Sequence, residues 1–275
     1  MVREIRACNA CGAKFSAVGE QELCPVCLPQ GALADGIKAP EVFARGVANS
    51  GSVQRFEHYE VVLGEDGRPL ELGRGAMGIT YKAVDVDLHC PVTLKVISEK
   101  YLGDEAARIR FLREARAAAS VRHPNVASVF HLGRKGSAYF YAMELVEGET
   151  LDSLIKRSER LEVKLALEIT RQVASGLAAV HKKKLVHRDI KPRNIMVSFE
   201  EEGAMTAKII DLGLAKVQDE SGGQTTISAS GAFAGTPEFA SPEQIVGGEV
   251  DIRSDLYSLG ISLWQMLIGD VPFSR

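Results

Sequence analysis

The string His187-Arg188-Asp189-Ile190-Lys191-Pro192-Arg193-Asn194 constrains this chain more than any other stretch. Within eight residues it sets out a carboxylate, an ammonium and a side-chain amide. Asp189 can orient a hydroxyl and accept its proton. Lys191 can neutralise a phosphoryl group in transit. Asn194 and a second acid, Asp211 in Asp211-Leu212-Gly213, offer the hard oxygen donors that Mg²⁺ prefers. A lone His-x-Asp is weak, because such triplets are mostly satisfied surface or core residues. The whole string with an Asp-x-Gly downstream is specific.

Composition sets the frame. The chain has 275 residues, 45% of them hydrophobic and 25% charged, with a net charge of −3. That suits one sizeable globular domain and a small one. The near-neutral balance gives no reason to expect a nucleic-acid partner. No apolar run is long enough to span a bilayer, and the first thirty residues lack a signal-peptide core. A cytoplasmic location is the resulting expectation.

Four of the five cysteines fall in the first thirty residues. Cys8, Cys11, Cys24 and Cys27 form C-x2-C-x12-C-x2-C. Each C-x-x-C turn can aim two thiolates at one point, and two turns complete a tetrahedral sulfur site suited to structural Zn²⁺. A segment this short needs the metal for its folding energy. Residues 1–30 are similar to a zinc ribbon, for which a protein partner is a further expectation. Two disulfides, a redox C-x-x-C or an iron–sulfur cluster are the alternatives. Residues 31–55, rich in Gly, Ala, Ser and Pro, read as a flexible linker. Cys90 stands apart and reads as a small core or edge residue.

Leu72-Gly73-Arg74-Gly75-Ala76-Met77-Gly78-Ile79-Thr80 has the spacing G-x-G-x-x-G-x-T. Glycines at such positions let backbone N–H groups approach phosphates. A dinucleotide-binding loop would open a helix, yet here Ile79 to Val84 continues as a strand. Val92-Thr93-Leu94-Lys95 reads as another strand. Asp104 to Arg122 reads as a helix with Ile109, Leu112, Ala115 and Ala119 inward. Glu114 lies on it, and an ordinary i,i+4 pair with Arg110 is the bland alternative. Ser137 to Met143 reads as a strand. Leu165, Ile169, Val173, Leu177 and Val180 form one face of a long helix leading to His187. Arg253 to Gly269, with Trp264, is broadly apolar and reads as a buried helix.

From Phe56 to Arg275 these strings resemble the bacterial eukaryotic-like Ser/Thr protein kinases. The resemblance implies an α+β, two-lobed kinase fold preceded by the small zinc ribbon. Its β-rich small lobe would be residues 56–146 and its helical large lobe residues 147–275. By resemblance Gly73, Gly75 and Gly78 cover the ATP phosphates, and Lys95 holds them with Glu114 as its partner. Thr80 and Thr93 stand where the family more often has Val and Ala against adenine. Met143 is the gatekeeper, and backbone groups of Glu144 and Val146 bond the base. Asp189 and Lys191 serve the chemistry, Asn194 and Asp211 hold Mg²⁺ or Mn²⁺, and Asp255 braces the catalytic loop. Lys191-Pro192 resembles Ser/Thr rather than Tyr kinases.

ATP and a protein substrate are the expected partners. Ser241-Pro242-Glu243 resembles the family's A-P-E segment. The Ser/Thr-rich stretch from Gln218 to Ala232 is the expected activation loop, with Thr225, Thr226, Ser228 and Ser230 as phosphorylation sites. Arg188 and Lys216 are the cations to receive the phosphate. Thr236 is expected to bond Asp189 and Lys191. The family continues with more helices, so the chain looks truncated at Arg275, which leaves open a membrane anchor beyond it. The alternative function is a pseudokinase or zinc-ribbon adaptor that binds nucleotide or partners without turnover.

Overall fold

The computed structural model describes residues 4–7, 14–17, 54–75, 78–98, 105–200, 203–212 and 237–273. The chain divides into two compact units, Met1–Ser52 and Val53–Arg275. In the first, β1 (Glu4–Ala7) and β2 (Lys14–Ala17) pair antiparallel, with Ala7 opposite Lys14. The four clustered cysteines lie outside the described residues.

The second unit opens with an antiparallel sheet. Its strands are β3 (Arg55–Phe56), β4 (Tyr59–Val61), β5 (Glu71–Gly75), β6 (Gly78–Asp85), β7 (Cys90–Ile97), β8 (Val129–Lys135) and β9 (Ala138–Glu144). The order is β3-β4-β6-β7-β9-β8, with β5 added beside β6. Strand alternation sorts the side chains into two faces. Val92 and Leu94 point with Phe140 and Ala142 into a core that also holds Phe56, Tyr59 and Val61. Thr93, Lys95 and Ile97 face the other way, opposite Met143, Tyr141 and Tyr139 in register. The period-two pattern thus places Lys95 on the side where the helical lobe begins. Cys90, at the start of interior strand β7, is partly buried against the sheet core.

Helix α1 (Glu105–Ala118) packs on that second face. Its buried residues are Phe111, Ala115 and Ala118, with Leu112 partly covered. The expectation for Ile109 needs correction: it is 57% exposed. An alanine-rich helix carries a weak amphipathic signal, and the bulky Phe111, edge-on to Tyr139 at 6.0 Å, sets the inward face instead. The helix also stops four residues short of Arg122. His123-Pro124-Asn125 follows, and Asn125 Nδ2 donates to Gln172 Oε1 and Ala207 O at 2.9 Å each.

The helical lobe is built from α2 (Leu151–Ser158), α3 (Val163–Lys182), α4 (Pro242–Val246) and α5 (Ile252–Ile268). It carries a small sheet of β10 (Glu149–Thr150), β11 (Ile195–Phe199) and β12 (Met205–Ile209). None of these three strands is expected from the sequence pattern. Ile169, Val173, Leu177 and Val180 of α3 are all buried, matching the helical spacing. Helix α5 departs from its expectation. Its buried side includes Ser254, Asp255, Ser258 and Ser262, while Trp264 is 49% exposed. Small hydroxyl residues at i, i+4 and i+8 allow close approach, and Ser258 Oγ donates to Phe239 O at 2.7 Å. Among the described residues no helix is long and apolar enough to cross a membrane.

Candidate active site

The stretch from His187 to Asn194 is held from below by α5. Asp255, with no solvent exposure, accepts the backbone N–H of His187 on Oδ2 at 2.9 Å and that of Arg188 on Oδ1 at 2.8 Å. His181, in the last turn of α3, places Nε2 2.7 Å from Asp255 Oδ2. From the side, Gln244 Nε2 donates to Arg188 O at 2.9 Å. Gln244 is itself fixed, because Ser241 and Gln244 form the capping box of α4. Arg188 adopts φ +63, a left-handed conformation uncommon for a bulky residue. The surrounding bonds hold it there.

That frame presents Asp189. Lys191 Nζ lies 3.1 Å from Asp189 Oδ1 and 3.0 Å from Oδ2. Asn194 Nδ2 donates to Asp189 O at 2.8 Å and to Asp189 Oδ2 at 3.0 Å. Pro192 begins the 3₁₀ turn Pro192–Asn194 that brings Asn194 back over the loop. Committing the amide nitrogen to Asp189 turns the amide oxygen the other way.

Asp211 follows β12 with φ +59. Its Oδ2 is ion-paired with Lys95, which is buried, and its Oδ1 accepts the Tyr141 hydroxyl at 2.8 Å. Burial pushes the Asp211 carboxyl upward, but the Lys95 charge, with bonds from Lys95 and Tyr141, outweighs it and holds the group below its ordinary value. The Tyr141 hydroxyl is pushed well up, by burial first and by Asp211 second. Each carboxylate oxygen can accept more than one bond, so Asp211 and the Asn194 oxygen remain chemically fit for a hard cation.

Glu114 departs from its expected pairing. Its Oε1 lies 3.8 Å from Arg188 Nη1, while Lys95 pairs with Asp211. The α1 carboxylate therefore reaches the catalytic loop instead of β7. Thr93 and Met143 are buried cross-strand neighbours, and Thr80 lies opposite Lys95. The Glu144 N–H donates to Ser128 O at 2.9 Å, and its side chain pairs with Lys208. Gly73 and Gly75 lie on exposed β5, and Gly78 begins β6. Gly213, Lys216, the hydroxyl residues Thr225 to Ser230 and Thr236 lie outside the described residues. Tyr141, His181 and Gln244 were not singled out in the sequence. Only the alternation that puts Tyr141 opposite Lys95 could have flagged one of them.

Comparison with known proteins agrees with this geometry. A sequence model of the protein kinase domain matches residues 69–275. Serine/threonine-protein kinase pkn3 of Myxococcus xanthus is 39% identical over 203 residues, 74% of this chain and 37% of the relative. PrkC of Bacillus subtilis is 38% identical over 202 residues, 74% of this chain and 30% of its own length. PknL of Mycobacterium tuberculosis is 36% identical over 204 residues, again 74% of this chain and 49% of its own. The chain thus spans less than half the length of these curated relatives. The crystal structure of the Mycobacterium tuberculosis PknI kinase domain superposes with a TM-score of 0.63 at 27% identity, over 82% of this chain and 79% of that one. With the loop, the paired acids and the two-lobed fold in place, the chain belongs to the protein kinase domain family.

Proposed function

We propose that this chain is an ATP- and Mg²⁺-dependent protein serine/threonine kinase. One observation carries the reading: Lys191 and Asn194 both hold the Asp189 carboxylate, each within 3.1 Å. Asp189 so pinned can orient a substrate Ser or Thr hydroxyl and accept its proton. The substrate oxygen bonds to the γ-phosphorus of ATP, the bond to the β-phosphate oxygen breaks, and ADP leaves. Lys191 neutralises the transferring group, and Lys95 holds the α- and β-phosphates after leaving Asp211. Asn194 and Asp211 would hold Mg²⁺ or Mn²⁺, which when bound neutralises phosphate charge. The Glu144 carbonyl and the Val146 backbone take adenine, between Met143, Thr80 and Thr93, under Gly73, Gly75 and Gly78.

Incubation with labelled ATP, Mg²⁺ and a generic protein substrate tests the reading. Transfer to Ser or Thr is the expected result. Nucleotide binding without transfer would favour the scaffold reading. Mass spectrometry of the same mixture should place autophosphorylation between Thr225 and Ser230.

The N-terminal cysteines belong to the proposal as a structural zinc ribbon in the reducing cytoplasm. The connection between β1 and β2 carries Cys8 and Cys11, which is support of position alone. Elemental analysis should find zinc that is lost in a Cys8→Ser/Cys11→Ser variant.

A further inference from the structure

Outside the site described above, three metal-ligating side chains meet where the β3–β4 hairpin reaches β8. Glu57, His58 and His131 bring one ligand atom each within 4.8 Å of the others. We propose that these three residues form a binding site for a divalent transition-metal ion of the Zn²⁺ type.

The sequence builds this site by local devices. Phe56 pairs with Tyr59, so Glu57 and His58 make a two-residue hairpin connection. Such connections favour Asn or Gly, because a left-handed residue is required. Here Glu57 takes φ +52. A glutamate held there is a local cost that the surrounding structure must offset. On β8 the pairing slips between Val129 and His131. A bulge of this kind re-aims the side chain that follows it. Gly133 supplies the space: a Cβ on it would lie 2.7 Å from Glu57 Oε1. The carboxylate accordingly sits over the strand, with Oε2 3.5 Å from His131 Nε2. The two imidazoles stack at 5.3 Å, 13° from parallel.

Two further observations distinguish this from an ordinary ion-pair cluster. Asp85, only 4% exposed, fixes its Oδ1 on the N–H groups of Asp87 and Leu88 and leaves Oδ2 3.6 Å from His58 Nε2. At that distance there is no direct hydrogen bond, but a small ring rotation would let Asp85 orient His58 through this nitrogen while the other one takes a metal. The Nδ1 atom of His131 is buried and has no hydrogen-bond partner among the described residues. Most buried polar side-chain atoms in a purely structural network have a partner, so this nitrogen calls for one.

Two imidazoles and a carboxylate form a donor set for borderline divalent ions, Zn²⁺ above all, with one position left for water. Bonds of about 2.0–2.1 Å would put tetrahedral donors roughly 3.3–3.5 Å apart, so binding needs the more distant side chains to close by up to about 1.5 Å. The half-exposed rings and carboxylate can do so by rotation about their side-chain bonds.

The test uses the full chain, reduced and stripped by chelator, titrated with Co²⁺ in excess Mg²⁺ to occupy the acidic site at Asp211. Cobalt on cysteine thiolates shows sulfur charge transfer in the near ultraviolet, and cobalt on imidazole and carboxylate does not. In the wild-type chain the cysteine site adds sulfur charge transfer; the expected result is that ligand-field absorption without charge transfer remains when Cys8, Cys11, Cys24 and Cys27 are all changed to Ser. On that background it should be lost in His58→Gln and in His131→Gln. Glu57→Gln covers the case of a histidine variant that fails to fold, and it should weaken Co²⁺ at least about 10-fold. Asp85→Asn keeps its turn bonds and should weaken Co²⁺ by about 10–100-fold. Unchanged cobalt uptake in folded His131→Gln or Glu57→Gln protein would overturn the proposal.

Discussion

Asp255 Oδ2 accepts the backbone N–H of His187 at 2.9 Å, across 68 residues of chain. The same carboxylate takes the Arg188 N–H, so two backbone donors inside the protein depend on one buried acid. Removing it strands both, at about 1–3 kcal/mol each. Asp255→Ala should therefore lose roughly 2–6 kcal/mol in urea unfolding and most of its phosphotransfer. A variant within about 0.5 kcal/mol of wild type would mean that the loop is held by other contacts.

Asp189→Asn separates binding from chemistry. Asparagine keeps an oxygen to accept from Asn194, so the loop should stay folded. The proton acceptor is gone, and turnover should fall about 10²-fold or more with nucleotide affinity nearly unchanged. Steady-state kinetics beside equilibrium nucleotide binding would check this. Turnover close to wild type would remove Asp189 from its assigned role.

What the sequence made legible were the groups whose chemistry fixes their type and spacing. Lys95, Asp189, Lys191, Asn194 and Asp211 could be named from type and spacing, and the structure brings Lys95 to Asp211 and both Lys191 and Asn194 to Asp189. The same local reading located β7, β9 and α3, whose apolar periods are strong. It could not see which partners distant segments select. Tyr141 and Asp211 are 70 residues apart, and His181 and Asp255 are 74. Glu114 shows the limit most clearly. Its place on α1 was readable, but its pairing depends on how the helix is turned, and Phe111 decides that by packing. Trp264 was misread for a related reason, since α5 turns its serines and Asp255 inward to meet polar backbone.

Lys95 and Asp211 make a pair with a defined pH window. The folded carboxyl is held below its ordinary value, so its contribution is complete above the unfolded value of about 3.9. It is lost as pH falls through the lower, folded value. Asp211→Asn leaves the buried Lys95 ammonium without its counter-charge, a loss of up to roughly 3–5 kcal/mol. The stability gap between wild type and variant should be flat from about pH 7 to 5 and close only below about pH 4. Urea unfolding across that range gives the measurement. A gap that closes between pH 7 and 5 would contradict a depressed Asp211.

The three glycines of the phosphate-directed string should divide by mechanism. A Cβ on Gly73 or on Gly75 meets nothing within 4 Å, and neither needs a left-handed backbone. Their proposed role is to leave the backbone open to a ligand. Gly78 has φ +153, and a Cβ there would lie 1.9 Å from Val96 O on the neighbouring strand. That glycine is required by the sheet itself, where β6 begins against β7. Gly73→Ala and Gly75→Ala should keep wild-type stability within about 0.5 kcal/mol and weaken ATP binding or turnover. Gly78→Ala should lower stability by about 1–3 kcal/mol even without nucleotide, through strain and overpacking. Thermal unfolding of the three variants with and without Mg²⁺-ATP separates the effects. Equal loss of stability in all three would show that the string is a structural turn, and an undisturbed Gly78→Ala would show that β6 can move off Val96.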